Sequence, residues 1–513
     1  MKKLMTMTAG ILLASISSAQ LADSPERDDL FGAAIASGDF NGDGYMDQAI
    51  GVPGESISSR FETGAVHVLW GSGHSGLMLP FSKLWHQDTP GVPGVNEVDD
   101  HFGSVLAAGD FNGDGYHDLA IGTPDEDIGT IGNAGLVTIL YGSVFGLTSS
   151  GSQSFHQNTP GIAGVCETGD RLGNALTAGD YNNDGKDDLV IGVCDEAIGS
   201  KFKAGMIHLL YGTSGGLTTS GSRYWHQDLS TMPGSANTLE NFGFALTSGD
   251  FNGDNICDFA VGVPNDKEGL PWALKKVGSV NLFRGTPNGA CQYVQSLKGV
   301  TPGGTHNGGI SSDLFGFSLA SGDINNDGTD DLLVGSPGQN GSSGAAEVVL
   351  FRHSHYLSSS YSILNQRKFT QSSNGVSDSP ETSDMFGRCV AMGDFNGDNR
   401  ADIAISTPWE DFNQTTLRGV GLVHILYGTS SGITSTGAAT LSQNTPGVHG
   451  ACEKWDYFGT SLAVGDYNGD GRDDLSIGVP KEDIGSTIDG GMIHVFRTLS
   501  SGGNLRHWQY WMQ

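Results

Sequence analysis

Residues 39–47 read Asp-Phe-Asn-Gly-Asp-Gly-Tyr-Met-Asp, and this stretch decides the fold because it does not stand alone. The pattern Asp-x-Asn-x-Asp-[Gly/Asn]-x-x-Asp returns from Asp110, Asp180, Asp250, Asp323, Asp394 and Asp466. Each copy is entered through Gly-Asp and left through a short apolar run. A long, nearly constant spacing kept through seven copies marks one supersecondary unit repeated along the chain.

Within each copy, carboxylates stand at positions 1, 5 and 9 and an amide at position 3. This spacing lets a folded-back loop wrap hard oxygen ligands around one calcium ion. The predicted ligands of the first loop are Asp39, Asn41, Asp43, the Tyr45 carbonyl and Asp47. The next three are Asp110, Asn112, Asp114, Tyr116 and Asp118; Asp180, Asn182, Asp184, Lys186 and Asp188; and Asp250, Asn252, Asp254, Ile256 and Asp258. The last three are Asp323, Asn325, Asp327, Thr329 and Asp331; Asp394, Asn396, Asp398, Arg400 and Asp402; and Asp466, Asn468, Asp470, Arg472 and Asp474. Position 7 changes residue type from loop to loop, as expected where only a backbone carbonyl is used. An EF-hand needs an acidic residue at position 12 and flanking helices, whereas position 12 of the first loop is Ile50 and the flanks read as strands. Asn255 and Asn399 replace glycine at position 6, and Asn tolerates the left-handed region. A metal-free Asp-Gly turn is the alternative for any single copy, and sevenfold recurrence argues against it. Three carboxylates in one loop repel one another. An ion removes that repulsion and ties the first two strands together, so up to seven structural calcium ions are expected.

Working outward from the loops, each unit reads as four short strands. The second runs from His101-Phe102-Gly103 through Val105-Leu106-Ala107, the acidic loop, Leu119-Ala120-Ile121-Gly122, a Thr123-Pro124 turn, Leu136 to Tyr141 and a last strand ending Phe155-His156-Gln157. Strands separated by Gly, Pro and Asp turns form an antiparallel meander, and unalternated apolar runs suit strands covered on both faces. Units start at Phe31, Phe102, Leu172, Phe242, Phe315, Phe386 and Phe458, and their fourth strands close on Gln87, Gln157, Gln227, Gln295, Gln371, Gln443 and Gln513. Seven four-stranded sheets predict an all-β, seven-bladed propeller closed on itself. Tyr510-Trp511-Met512-Gln513 matches Tyr224-Trp225-His226-Gln227, so blade seven owns its outer strand. Side-chain packing against blade one is then expected to close the ring. Units four, around Leu270-Pro271-Trp272, and five, at Ser358 to Ser362, depart most.

The chain has 513 residues, 79 of them glycine, which suits many tight turns. Residues 1–19 read as a bacterial-type secretory signal: Lys2 and Lys3, an apolar stretch from Ala9 to Ile16, then Ser17-Ser18-Ala19. Residues 20–513 form the propeller, expected to be secreted or periplasmic, without a membrane span and monomeric. The formal charge of −31 becomes −33 without the two leader lysines. Such acidity disfavours nucleic acid and anionic membranes.

The Phe-Gly starts, the acidic loops and turns such as Gly51-Val52-Pro53, Gly122-Thr123-Pro124 and Gly478-Val479-Pro480 resemble the FG-GAP repeats of integrin α-subunit propellers and of secreted bacterial FG-GAP proteins. The resemblance covers essentially the whole chain after the leader. Cys194 stands in place of the proline in unit three, and unit six reads Ser406-Thr407-Pro408. In integrins only some blades carry the acidic loop; here all seven do. The resemblance implies a calcium-stabilised scaffold that recognises partners on the face opposite the loops.

Trp85, Trp225, Trp511 and Phe155 near outer-strand ends either stack on sugars or pack between blades. His67, His208, His424 and His494 recur in third strands, which suggests packing. The clusters Asp125-Glu126-Asp127, Asp195-Glu196 and Glu410-Asp411 read as solvated loop charge, with a partner or cation surface as the alternative. Six cysteines in an exported chain raise disulfides; Cys166–Cys194 and Cys257–Cys291 share faces, leaving Cys389 and Cys452. No Gly-x-Ser-x-Gly elbow, His-Glu-x-x-His helix, phosphate-binding loop or Arg-Gly-Asp occurs. The reading is a non-enzymatic module for an extracellular protein or glycan, with Trp272 and Trp409 as anchors; a carbohydrate-active enzyme or lectin on the same ring is the alternative.

Overall fold

The computed structural model describes residues 24–73, 75–78, 82–268, 275–299, 313–353, 360–376, 379–412, 417–498 and 505–513. The expected leader, Leu270 to Trp272 and Ser358-Ser359 lie outside these residues. Seven four-stranded antiparallel sheets, each in simple sequence order, form the seven blades of a propeller. In blade two the strands are Val105–Gly109, Asp118–Thr123, Leu136–Tyr141 and Thr148–Phe155. In blade seven they are Leu462–Gly465, Asp474–Val479, Met492–Arg497 and Arg506–Met512. Blade four adds a two-stranded flap, Lys267–Glu268 with Lys275–Lys276. Blade five carries the short helix Gln339–Ser342 after its second strand.

Residue size sets each strand's radial place. First strands are short and built from small residues, as in Val-Leu-Ala-Ala-Gly at Val105–Gly109. They contact one another around the axis, including Ala34–Gly38 with Leu462–Gly465. A Cβ on Gly109 would sit 2.8 Å from the Ala178 Cβ of the next blade, so a larger residue would push the inner strands apart. Second strands are buried along their whole length, as the unalternated apolar runs predict. Fourth strands are half solvated, with exposed residues mid-strand and a buried residue at the end.

The core lies in the seams between blades. Val137, Ile139 and Phe155 of blade two pack with Leu189, Ile191 and Val193 of blade three; each such side chain contributes about 1.5–3 kcal/mol when fully buried. Trp85, Phe155, Trp225 and Trp511 are buried in these seams, so packing is their role and sugar stacking is excluded. The recurrent histidines are buried as well, and three of them meet the ring that opens their own blade: Phe31–His67 at 5.8 Å, Phe386–His424 at 5.3 Å and Phe458–His494 at 5.8 Å.

Among the described residues, the four strands of blade seven all come from residues 462–512, as expected. The expectation that side chains alone close the ring needs correcting. Backbone hydrogen bonds close it too, Phe31 N–H to Gly490 O at 3.3 Å and Met46 N–H to Asp466 O at 3.1 Å. These repeat the links between other blades, such as Phe102 N–H to Thr63 O at 2.9 Å. Side chains add the cluster of Phe31, Ile50, Ile493 and Trp511 and a 2.9 Å bond from Gln48 Nε2 to Tyr467 Oη.

The expected disulfides are absent: all six cysteines are free. Cys166 Sγ faces His156 Nδ1 at 3.7 Å, whereas Cys194 Sγ faces Asp195 at 3.8 Å. Cys257 lies against Gly179 of blade three, while Cys291 packs toward the Tyr181 carbonyl. Sharing a face did not pair these sulfurs: Cys166 and Cys194 face different partners, and Cys257 and Cys291 pack on one core cluster beside Tyr181 without bonding to each other.

Candidate metal centres and the opposite face

Each acidic loop folds back on its first aspartate. Asp39 Oδ1 accepts the Gly42 and Asp43 N–H groups at 2.7 and 3.1 Å, and Oδ2 accepts Gly44 N–H at 2.9 Å. Asn41 Oδ1 takes Asp43 N–H at 2.9 Å, and Asp43 Oδ1 takes Tyr45 N–H at 3.0 Å. Asp110, Asp180, Asp250, Asp323, Asp394 and Asp466 repeat the pattern. The position-9 carboxylate closes the loop from below: Asp47 Oδ2 accepts Phe40 N–H at 3.0 Å, and Oδ1 accepts Gly71 N–H at 2.8 Å from the strand three–four turn. Asp118, Asp188, Asp331 and Asp402 bond in the same two directions. The structure thus brings positions 1, 3, 5 and 9 of the loop together through these hydrogen bonds.

Burial of an acid with like-charged neighbours shows in its titration. Desolvation raises Asp47, Asp118, Asp188, Asp331 and Asp474 to about 8 and Asp402 to about 7, with loop carboxylates adding to the effect. Burial also raises Asp258, the most deeply buried, well above the usual carboxylate range. Two buried amide oxygens, Asn112 Oδ1 and Asn252 Oδ1, have no hydrogen-bond partner. Buried carboxylates with orphaned amide oxygens are a hard-oxygen donor set, and the residues fit calcium.

The loops are also joined to one another, which the sequence reading missed. The position-8 N–H donates to the position-1 carbonyl of the preceding blade in all seven cases, from His117 to Asp39 at 2.9 Å through Met46 to Asp466 at 3.1 Å. Where position 8 is polar, its side chain also accepts that aspartate's own N–H: His117 Nδ1 from Asp39, and Asp187, Asp330 and Asp473 from Asp110, Asp250 and Asp394, at 2.8–2.9 Å. Position 7, expected to vary without constraint, covers its neighbour. A Cβ on Gly42 would lie 2.6 Å from the Tyr116 ring, one on Gly113 2.8 Å from Lys186, and one on Gly469 2.5 Å from Tyr45.

The opposite face holds a second recurring contact. In five of the seven seams the glutamine ending a fourth strand reaches across to the glutamate after the next blade's second strand, as in Gln87–Glu126 at 2.5 Å, Gln157–Glu196 at 2.7 Å, Gln371–Glu410 at 2.7 Å and Gln443–Glu482 at 2.5 Å. Gln295, expected to close its strand, lies inside Gln292–Leu297 and accepts Tyr361 N–H instead. Gln513 closes the ring on Glu55 in the same way. Glu126, Glu196 and Glu410 are buried, so reading their clusters as solvated charge is corrected. Burial, against neighbouring Asp100 and Glu97, raises Glu126 to about 8. Around these contacts the rim exposes apolar side chains: Phe61, Phe202, Trp409 and Phe412, at 71, 56, 41 and 39% exposure. Trp409 stacks on Tyr457 at 5.9 Å. Trp272, the other predicted anchor, lies outside the described residues.

Comparison with known proteins agrees with this geometry. Residues 31–69, 102–140, 172–210, 315–350, 386–426 and 458–496 match the FG-GAP repeat family. Phosphatidylinositol-glycan-specific phospholipase D of Rattus norvegicus is 37% identical over 161 residues, covering 31% of this chain and 18% of that protein. Its counterpart from Dictyostelium discoideum is 27% identical over 272 residues, 49% of this chain and 26% of that protein. Integrin alpha-5 of Xenopus laevis is 29% identical over 275 residues, 52% and 22%. The chain therefore spans about a quarter or less of the length of these relatives. Among the described residues, no helix is long and apolar enough to cross a membrane.

Proposed function

We propose that this FG-GAP propeller, similar to integrin alpha and to the phospholipase D above, is an exported, calcium-stabilised binding or adhesion module. Its partner is an extracellular protein or glycan that docks on the face opposite the calcium loops. The observation that carries the reading is the contrast between faces. The loop face repeats one backbone-built motif, which offers little to distinguish ligands. The other face varies from blade to blade and exposes Phe61, Phe202, Trp409 and Phe412, the kind of aromatic residues that dominate binding energy when covered.

Arrays of glycans and of extracellular matrix proteins test this. The wild type should bind a defined subset, and Trp409→Ala with Phe412→Ala should weaken that binding at least tenfold while melting temperature and calcium content stay unchanged. Binding that survives this change but is lost with Tyr224→Ala would move the site to the outer rim and contradict the assignment. The likeness to the phospholipase supports a second reading, an enzymatic one. Release of a phosphatidylinositol-glycan headgroup by the purified chain would establish it in place of pure binding.

A further inference from the structure

We propose that two blade seams on the face opposite the loops hold hard divalent cations of the calcium class, in sites separate from the nine-residue loops. One site is built from Glu26, Asp29, Glu55 and Gln513, where blade seven meets blade one. The other is built from Glu381, Asp384, Glu410 and Gln371, where blade five meets blade six. In each, one oxygen from each of the three carboxylates lies within 4.8 Å of the other two. That spacing lets all three reach one ion at the usual calcium–oxygen distance of about 2.3–2.6 Å.

The second observation is the glutamine. Gln513 and Gln371 are 0 and 1% exposed, and each presses its amide against the cluster by donating Nε2–H to Glu55 or Glu410. In both, the carbonyl oxygen Oε1 is buried with no hydrogen-bond partner. A buried amide oxygen left unsatisfied costs about 1–3 kcal/mol. The two ends of an amide are interchangeable by half a turn, and that turn would present Oε1 to the carboxylates as a fourth oxygen ligand. A donor set of oxygen alone, without nitrogen or sulfur, selects calcium-like ions over zinc.

Bound-metal analysis of the full chain, after equilibration with calcium and removal of free metal, tests the proposal. Glu410→Gln keeps the shape of the site and removes one charge, while Asp394→Asn alters the loop of the same blade. The proposal expects each variant to lose one ion and the double variant two. Glu410→Gln retaining the wild-type count while Asp394→Asn loses one ion overturns the seam site and leaves the loops standing; the reverse pattern overturns the loop and leaves the seam. Should Glu410→Gln not fold, wild-type crystals soaked in terbium decide the matter. An anomalous peak between Glu26, Asp29 and Glu55 is expected, and its absence with the loops occupied overturns the proposal.

Discussion

At the scale of single residues, charge and burial decide what each recurrent side chain does. His208 is 1% exposed, its Nε2 has no partner, and burial lowers its titration to about 4. The neutral ring is therefore the folded form. Its contribution is fully present above the unfolded value near 6.5 and is lost as pH falls from there toward 4. By pH 5 the loss from this one residue is about 2 kcal/mol, at 1.36 kcal/mol per unit. Chemical denaturation in saturating calcium at pH 7.5 and pH 5 should show the wild type losing more stability than His208→Leu by about that amount; equal losses would contradict the assignment. The sequence placed this histidine by recurrence alone, and packing was the right inference. It misplaced Glu126, Glu196 and Glu410, because an acidic triplet after a strand looks solvated until the glutamine that covers it is known. That glutamine lies 39 residues earlier in the chain, on another blade.

At the scale of elements, the loop is the unit. Positions 1, 3, 5 and 9 were legible because their chemistry tolerates only a few residue types. Position 8 was not, because its main link is a backbone N–H that any residue supplies; Met46, His117, Asp187, Cys257 and Ala401 all serve. Only where the side chain adds a second bond does its identity matter. Asp187→Ala should strip the Asp110 N–H of its acceptor at 2.9 Å and cost about 1–3 kcal/mol. Hydrogen exchange should then quicken in residues 110–118 of blade two while blades five and six keep their protection. An unchanged loop would show that the position-8 side chain is dispensable.

At the scale of the whole molecule, repetition made the architecture readable: seven units and their phase predict seven blades and an unswapped closure. What stayed hidden was how neighbours hold one another, since seam contacts join residues far apart in sequence, as Gln48 and Tyr467 do. The same linkage makes calcium a global matter, because each loop is bonded to the one before it around the entire ring. Ligand linkage gives about 2.7 kcal/mol for each site held at a hundred times its dissociation constant. The most direct test is a melting curve of the full chain with calcium and after exhaustive chelation, run beside metal analysis of the same samples. The account predicts several bound calcium ions and a melting temperature that falls sharply on chelation and recovers when calcium is restored. A chain with no bound calcium and an unchanged melting temperature would contradict it.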